Sequence, residues 1–199
     1  MKDEGVIKFK YSWKQEPPMP SELISELNVW RDKLYKAGLI GQDGNGIGYG
    51  NISCRLERNI FIITGSGTGS LEKLNVEHYT RVTAYDFTGN SLTIAGPIKA
   101  SSESLTHAAV YETAPGLNAV FHIHHPALWE RLLGDLPSTA PGVEYGTSAM
   151  AVEISRLLSE PVVLEQGIMA MGGHREGILA FGKDPDSAGG VIDKWLAYL

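Results

Sequence analysis

The pattern of apolar residues changes halfway along this chain of 199 residues, and the change limits the folds that the chain can adopt. In the first half, short apolar segments follow one another, the first of them alternating apolar and polar residues, which is typical of strands. These segments span residues 51–56, 59–64, 81–86 and 91–95. We therefore predict an antiparallel meander, with the turn Phe87-Thr88-Gly89-Asn90 between its last two strands.

The second half of the chain alternates helices with strands. Helices are predicted at about 103–113, 127–133, 147–158 and 185–198, and strands at 118–124, 162–171 and 177–182. An earlier helix is predicted from Ser21, a residue suited to the N-cap, to Gly38, a residue suited to the helix stop. Residues 1–20 would form an N-terminal extension. The whole pattern predicts a single α/β domain over residues 1–199, with three layers and a central mixed, largely antiparallel sheet flanked by helices.

Composition narrows the functional classes. Hydrophobic residues make up 43% of the chain, enough for one sizeable core. The net charge of -6 and a pI near 5.5 argue against a nucleic-acid partner, because phosphate neutralisation needs a basic surface. No apolar run approaches the roughly 20 residues of a membrane span. Cys54 is the one cysteine, so no internal disulfide can form, and we expect a cytoplasmic protein without a membrane partner.

The segment AVFHIHHP, residues 119–126, carries the sharpest local signal. Side chains two apart on a strand point to the same face, so His122 and His124 aim together. Imidazoles on one face of a rigid strand suit a divalent ion such as zinc. The alternative is that both are polar residues on the exposed face of an edge strand. His125 would point to the opposite face, and we expect it to pack rather than to bind an ion.

The segment ASSESLTHAAVY, residues 100–111, opens a predicted helix with two serines and a glutamate. The amides of a helix start, together with the hydroxyls of Ser101 and Ser102, form a natural anion site. Glu103 lies about 20 residues before the histidine strand, so a helix running back into that strand would bring its carboxylate to an ion. The alternative is that Glu103 only complements the helix dipole.

Two glycine-bearing segments adjoin predicted strands, GYGNIS at 48–53 and ITGSGTGSLEKL at 63–74. Glycines let backbone amides approach a ligand, and Asn51, Ser66 and Thr68 offer hydrogen-bond donors, so the segments suit a phosphate cradle. Neither the lysine of a P-loop nor a dinucleotide fingerprint is present, and a flexible turn is the alternative.

The turn MGGHREG, residues 171–177, holds another histidine. A closed metal site needs a third protein ligand. The remaining candidates in the sequence are His78, His107, His125 and His174.

These segments, in this order, resemble the class II aldolase and adducin head-domain family from about Leu23 to Tyr198. The resemblance implies that His122 and His124 are zinc ligands and that Glu103 is the family's acidic residue. It also assigns the binding of a substrate phosphate to Gly50, Asn51, Ser66, Gly67, Ser101 and Ser102.

The resemblance is least complete at two positions, the third metal ligand and a catalytic tyrosine. An ungapped alignment would place Gln166 at the ligand position, whereas a gap of two residues brings His174 there. We favour His174, because it completes a three-histidine site with open positions for substrate or water. Tyr145 and Tyr198 are candidates for the tyrosine that several family aldolases carry in a C-terminal tail.

The activity that the resemblance implies is that of a lyase. It would be a divalent-metal-dependent aldolase, with Zn²⁺ or another ion such as Mn²⁺, that cleaves or forms a carbon–carbon bond of a sugar or sugar phosphate through a metal-stabilised enediolate. Glu103 would move the proton. The alternatives are an epimerase or dehydratase with the same metal site and a non-catalytic adducin-like interaction module. The resemblance also implies a homotetramer.

Overall fold

The computed structural model describes residues 5–199, which form one mixed sheet of eight strands with helices on both faces. The sheet contains β1 (Lys10–Gln15), β4 (Asn51–Glu57), β5 (Ile60–Thr64), β6 (Tyr79–Asp86), β7 (Ser91–Gly96), β8 (Ala119–His124), β9 (Ile168–Ala170) and β10 (Gly177–Gly182), in the order β1-β7-β6-β5-β4-β8-β10-β9. A separate hairpin consists of β2 (Gly41–Gln42) and β3 (Gly48–Tyr49). The helices are α1 (Ser25–Lys36), α2 (Ser104–Thr113), α3 (Pro126–Asp135), α4 (Ser148–Leu158), α5 (Pro161–Gln166) and α6 (Pro185–Leu196).

The predicted meander and the largely antiparallel sheet are confirmed. Strands β4 to β7 pair antiparallel in chain order, and β8 and β10 continue the antiparallel pairing on the other side of β4. The parallel pair, β1 with β7, makes the sheet mixed. Apolar clusters on the two faces pack the sheet against α2 and α4 on one side and against α1, α3 and α6 on the other, which gives the predicted three layers.

Strand β8 lies in the middle of the sheet, between β4 and β10. All six of its residues are buried. Phe121 and Ile123 pack into the cluster beneath α1 and α6, while Val120 packs into the cluster beneath α2 and α4. Because side chains alternate along a strand, His122 and His124 face the α2 side with Val120. The histidines therefore do not lie on the exposed face of an edge strand.

The predicted strand at 162–171 is wrong over its first half. Residues Pro161–Gln166 form α5, and the strand is confined to Ile168–Ala170. Proline at the first helical position is compatible with a helix, since its missing N–H has no intrahelical partner there. Gly167, at φ +68°, ends the helix, and its N–H donates to the carbonyl of Val163.

The N-terminal part of the chain departs from the prediction at two points. Within residues 1–20 we predicted no element, but Lys10–Gln15 form β1; residues 1–4 lie outside the described residues. Ser21 is not an N-cap, because a 3-10 turn starts there and α1 follows at Ser25. The predicted stop is confirmed at Gly38, which has φ +71°. Across residues 5–199, the structure contains no helix with the length and apolar content needed to cross a membrane.

Candidate metal centre and anion pocket

Strand β8 places two imidazoles side by side. The rings of His122 and His124 have centroids 4.9 Å apart, and the side chains are nearly inaccessible, at 1% and 8% exposure. Asn51 of β4 is the register partner of His122, and its amide nitrogen lies 3.3 Å from His122 Nδ1. The strand thus fixes the backbone of the pair, and the neighbouring strand holds one ring.

The turn before β10 brings a third imidazole to this pair. His174 Nε2 lies 3.1 Å from His124 Nε2, and the ligand atoms of His122, His124 and His174 all lie within 4.8 Å of one another. Two nitrogens at about 2.0–2.1 Å from a tetrahedral ion are about 3.3 Å apart. The three residues, called the histidine triad below, could therefore hold a metal ion.

The turn that carries His174 requires its glycines. A Cβ on Gly173 would lie 2.0 Å from the carbonyl oxygen of Val143, and a Cβ on Gly177 would lie 2.2 Å from the His174 ring. The backbone N–H of His174 donates to Met171, and the carbonyl of His174 accepts from Gly177. The sequence MGGHREG thus folds into a turn with no room for a side chain at position 173 or 177.

The other candidate third ligands have different surroundings. His78 caps a 3-10 turn, and His125 caps α3 by accepting from the amide of Leu128. His107 of α2 is fully buried, with Nδ1 2.7 Å from Ser53 Oγ. Gln166 is the last residue of α5. His174 is the histidine that the structure brings to the pair on β8.

Burial keeps these imidazoles neutral. Desolvation lowers the pKa of His124 to about 4 and, with the neighbouring histidines, holds the pKa of His122 well below its ordinary value. The pKa of His174 is also lowered well below its ordinary value, chiefly by burial. Burial lowers the pKa of His107 to about 3. Neutral imidazole is the form that binds a metal ion, so the triad needs no deprotonation at neutral pH.

Glu103 faces the histidine triad. Its carboxylate oxygens lie 3.6 Å from His122 Nδ1 and 3.4 Å from His174 Nε2, and the residue is 3% exposed. Its position differs slightly from the prediction, because α2 begins at Ser104 and Glu103 occupies the N-cap rather than the first turn. The bend before the helix directs the carboxylate toward the sheet, as the metal hypothesis requires.

A small pocket of about 30 Å³ opens beside the triad. The six residues predicted to bind phosphate all line it: Gly50, Asn51, Ser66, Gly67, Ser101 and Ser102. Gly69, Glu103 and His122 line it as well. We call it the anion pocket. The loops after β3 and β5 and the segment before α2, far apart in the chain, thus meet at one place.

Glycine is required where these loops touch. A Cβ on Gly69 would lie 2.7 Å from the carbonyl oxygen of Gly41, and a Cβ on Gly50, which has φ +77°, would lie 2.7 Å from Ile40 Cγ1. Gly67 has φ +78° with open space around it. The first two glycines therefore allow close backbone approach, whereas Gly67 supplies a left-handed conformation.

Arg31 of α1 holds the loop that contains Thr68 and Gly69 of the anion pocket, although Arg31 does not line the pocket itself. The sequence analysis did not identify this residue. Arg31 is 1% exposed, and its Nη2 donates to the carbonyls of Thr68, Gly69 and Leu71. In a trans peptide the C=O and N–H point in opposite directions, so holding the Thr68 carbonyl turns the Gly69 N–H away from Arg31. A signal was present, because Arg31 lies at helical spacing between the buried residues Leu27 and Leu34.

The two candidate tyrosines differ in position. The ring of Tyr145 packs on His174 with centroids 4.7 Å apart, and Lys8 Nζ lies 4.1 Å from the centre of the Tyr145 ring. Tyr198 follows α6 and is 60% exposed. The structure therefore brings Tyr145 to the triad.

Comparison with solved structures supports the fold. An L-fuculose-1-phosphate aldolase from Thermus thermophilus superposes with a TM-score of 0.61 and 22% identity, covering 88% of this chain and 87% of that chain. A sugar-phosphate aldolase from Thermotoga maritima superposes with a TM-score of 0.64 and 17% identity, covering 88% and 91% of the two chains. At these identities the likeness shows a shared fold.

Comparison of sequences identifies the family. A 3-oxo-tetronate 4-phosphate decarboxylase from Haemophilus influenzae is 39% identical over 77 residues, which are 39% of this chain and 33% of that protein. The chain thus matches about a third of that relative's length. The sequence profile of the class II aldolase and adducin N-terminal domain matches residues 39–192, which include the triad, Glu103 and the anion pocket except Gly5. This chain belongs to the class II aldolase and adducin N-terminal domain family.

Proposed function

We propose that this chain is a divalent-metal-dependent lyase of the class II aldolase type that cleaves or forms a carbon–carbon bond in a sugar phosphate. The observation that carries the proposal is the convergence of three buried, neutral histidines with the carboxylate of Glu103 beside a pocket of glycines and serines. As part of the proposal, the enzyme is cytoplasmic and a homotetramer, which light scattering on the purified protein would measure.

The triad fits a divalent ion by its chemistry. Three imidazole donors leave one or two positions of a zinc or manganese ion open to substrate. His122 Nδ1 faces Asn51 and Glu103, while its buried Nε2 has no hydrogen-bond partner among residues 5–199, which leaves Nε2 for an ion. When bound, the ion would act as a Lewis acid that draws electron density from a substrate oxygen.

Glu103 is the proposed proton carrier. It lies between His122 and His174 and is 3% exposed, so a substrate held at the triad would meet its carboxylate with little water between them. There it would accept a proton from the substrate hydroxyl or carbon and return it in the reverse direction. A positioned acid or base of this kind contributes about 10²–10⁴-fold to a rate.

The anion pocket is the proposed holder of the phosphate. Ser101 and Ser102 precede α2, a helix of ten residues, and the glycine loops face the same cavity. Backbone amides and hydroxyls at a helix start bind anions well. Binding of this non-reacting group would orient the reacting carbons beside Glu103.

A second reaction class is favoured by one observation, the decarboxylase name of the Haemophilus influenzae relative. Decarboxylation, epimerisation and dehydration of sugar phosphates would use the same ion and the same carboxylate. The convergence of the triad and Glu103 at one buried point argues against a purely non-catalytic module.

The test combines metal content with turnover. Protein incubated with zinc and manganese is dialysed and measured by elemental analysis, then assayed with phosphorylated ketopentoses and ketohexoses. We expect about one ion per chain and release of an aldehyde. Glu103→Gln should retain the ion and lose at least about 100-fold in turnover. Glu165→Gln, on exposed α5, is the matched control. A metal-free protein, or a Glu103→Gln variant with full turnover, would overturn the proposal.

A further inference from the structure

A second cavity adjoins the histidine triad on the side of His124. It has a volume of about 330 Å³, and its walls include Gln42, Asp43, Tyr49, His124 and Glu176. The resemblance to the family assigned a role to only one of these residues, His124, as a metal ligand. We call it the distal cavity.

The volumes of the two cavities indicate which part of a substrate each could hold. The anion pocket, at about 30 Å³, has room for about two water-sized groups, so it can take outer oxygens of a phosphate group and no carbon chain beyond them. The distal cavity is about ten times larger. His122 lines the anion pocket, His124 lines the distal cavity, and Tyr49 lines both. A phosphorylated substrate whose reacting atoms lie at the triad would therefore extend its other end into the distal cavity.

The distal cavity is acidic. Asp43 and Glu176 line it, and none of the described residues in its walls is a lysine or arginine. The amides of Ile47 and Asn45 lower the pKa of Asp43, so this carboxylate is ionised at neutral pH. Arg175 lies 3.4 Å from Glu176, but it is 69% exposed, and an exposed pair of this kind neutralises little of the charge.

The polar groups of the cavity suit hydroxyls. Ionised carboxylates accept hydrogen bonds and cannot donate them. Glu176, and the lone pairs of Asp43 that Asn45 and Ile47 do not use, would therefore pair with substrate O–H groups and repel carboxylate or phosphate oxygens. The Tyr49 ring, 5.1 Å from the His124 ring, forms an apolar wall on which a carbon chain can lie.

We propose that the distal cavity receives the unphosphorylated end of the substrate, and that Asp43 and Glu176 select a neutral, polyhydroxylated end against one that carries a carboxylate or a second phosphate. The inference rests on the proposed function of the triad and the anion pocket. It favours cleavage or epimerisation of a neutral sugar phosphate over decarboxylation of a phosphorylated sugar acid, the reaction type in the name of the Haemophilus influenzae relative.

The test uses two ligands that differ at one end. Erythritol 4-phosphate ends in a hydroxymethyl group, and 4-phosphoerythronate ends in a carboxylate. Their dissociation constants are measured by calorimetry on the zinc-loaded protein and on Glu176→Gln and Asp43→Asn. The asparagine keeps an oxygen that can accept from the amides of Asn45 and Ile47, so the turn is retained. Glu165→Gln removes one negative charge from an exposed residue that lines neither cavity, and it serves as the control.

We expect each cavity variant to bind 4-phosphoerythronate about fivefold more tightly than the wild type, since one repulsion at close range is removed, and to bind erythritol 4-phosphate within about twofold of the wild type. An unchanged ratio of the two dissociation constants in both variants would overturn the inference. Should the wild type bind neither phosphorylated ligand, the proposed function of the triad and anion pocket would fail first. Glu176→Gln alone decides the matter if circular dichroism shows that Asp43→Asn is misfolded.

Discussion

The histidine triad and the anion pocket share a wall at Glu103 and His122 but are built differently. The triad consists of side chains, two on a central strand and one in a tight turn, all at most 8% exposed. The anion pocket consists mainly of backbone from loops that are far apart in the sequence and lie together in the fold. The histidine triad therefore depends on its side chains, whereas the anion pocket depends on the backbone conformation of its loops.

This difference determines which substitutions matter. In the triad, replacing a histidine removes one proposed ligand atom and keeps the backbone of the strand or turn that carries it. In the anion pocket, the important positions include glycines that need close backbone contact and Arg31, which holds the loop without lining the cavity. A residue that would touch no ligand is thus expected to control ligand affinity there.

The largest effect is expected from removing one triad histidine. His124→Ala deletes an imidazole from a set whose nitrogens lie within 4.8 Å of one another. Loss of an outer partner of a metal site costs about 10–100-fold in affinity, and loss of a ligand should exceed this. We expect zinc affinity to fall by more than about 100-fold, measured by competition with a chelator. His78→Ala, at a surface cap, should leave the affinity unchanged, and equal affinities in the two variants would remove His124 from the site.

The next largest effect tests whether Arg31, which does not line the anion pocket, controls its affinity for phosphate. Arg31→Met removes the guanidinium donor from the carbonyls of Thr68, Gly69 and Leu71. The Thr68 carbonyl still accepts from the Leu71 N–H, so the loss falls on the carbonyls of Gly69 and Leu71. Buried acceptors left unpaired cost about 1–3 kcal/mol each, so we expect unfolding free energy to fall by about 3 kcal/mol in urea titrations. Inorganic phosphate should also bind about tenfold more weakly, which is about 1.4 kcal/mol.

A matched series separates a positioning role of Arg31 from a purely structural one. Arg31→Lys keeps the charge and loses the planar fork, so it should recover part of the phosphate affinity. Zinc affinity should stay unchanged in both variants, because Arg31 does not contact the triad. A destabilised Arg31→Met protein with wild-type phosphate affinity would show that Arg31 supports the fold alone.

Of the two regions, the histidine triad was the more predictable from sequence. Alternation along a strand was enough to place His122 and His124 on one face, whereas His174 was chosen as the third member through the resemblance to the family. The meander was predictable because its strands are short apolar or alternating segments, and because the connections from β4 to β5 and from β6 to β7 are short. All six residues assigned to the anion pocket also line it, but that assignment came from resemblance and not from a local pattern.

What sequence could not show depends on contacts distant along the chain. Strand β1 is mostly exposed and has no alternation, and it is a strand because it pairs with β7 more than 75 residues later. The valines of α5 favoured a strand, but Pro161 and Gly167 set the limits of a short helix. The distal cavity joins Asp43 of the first hairpin to Glu176 of the last turn, and no local pattern links the two.

A smaller effect distinguishes two uses of glycine in the anion pocket. Gly69→Ala would place a Cβ 2.7 Å from the Gly41 carbonyl, so the loops must part. Gly67→Ala has open space and meets only the cost of a left-handed conformation, about 1–2 kcal/mol. We expect Gly69→Ala to weaken phosphate binding more than Gly67→Ala, measured by calorimetry. Equal losses would mean that loop approach at Gly69 is not what shapes the pocket.

Low pH should affect the two regions differently. The triad and the neighbouring His107 contain groups that titrate, whereas the amides and hydroxyls of the anion pocket do not. Burial lowers the pKa of His107 to about 3, below the unfolded value of about 6.5. Between these values the unfolded chain binds the additional proton, so stability is complete above pH 6.5 and falls as the pH falls toward 3. For one such histidine the slope approaches about 1.4 kcal/mol per pH unit.

His107→Gln removes that proton while a side-chain amide can still reach Ser53 Oγ, the partner of His107 Nδ1 at 2.7 Å. Urea unfolding of the metal-free protein at pH 7, 6 and 5 should therefore show a pH slope smaller by about one proton in the variant. The remaining slope would come from the triad, whose imidazoles are also held neutral by burial. If the wild type and His107→Gln lose stability equally between pH 6 and 5, His107 is not the buried titrating group, and acid sensitivity must be assigned to the triad or to groups elsewhere.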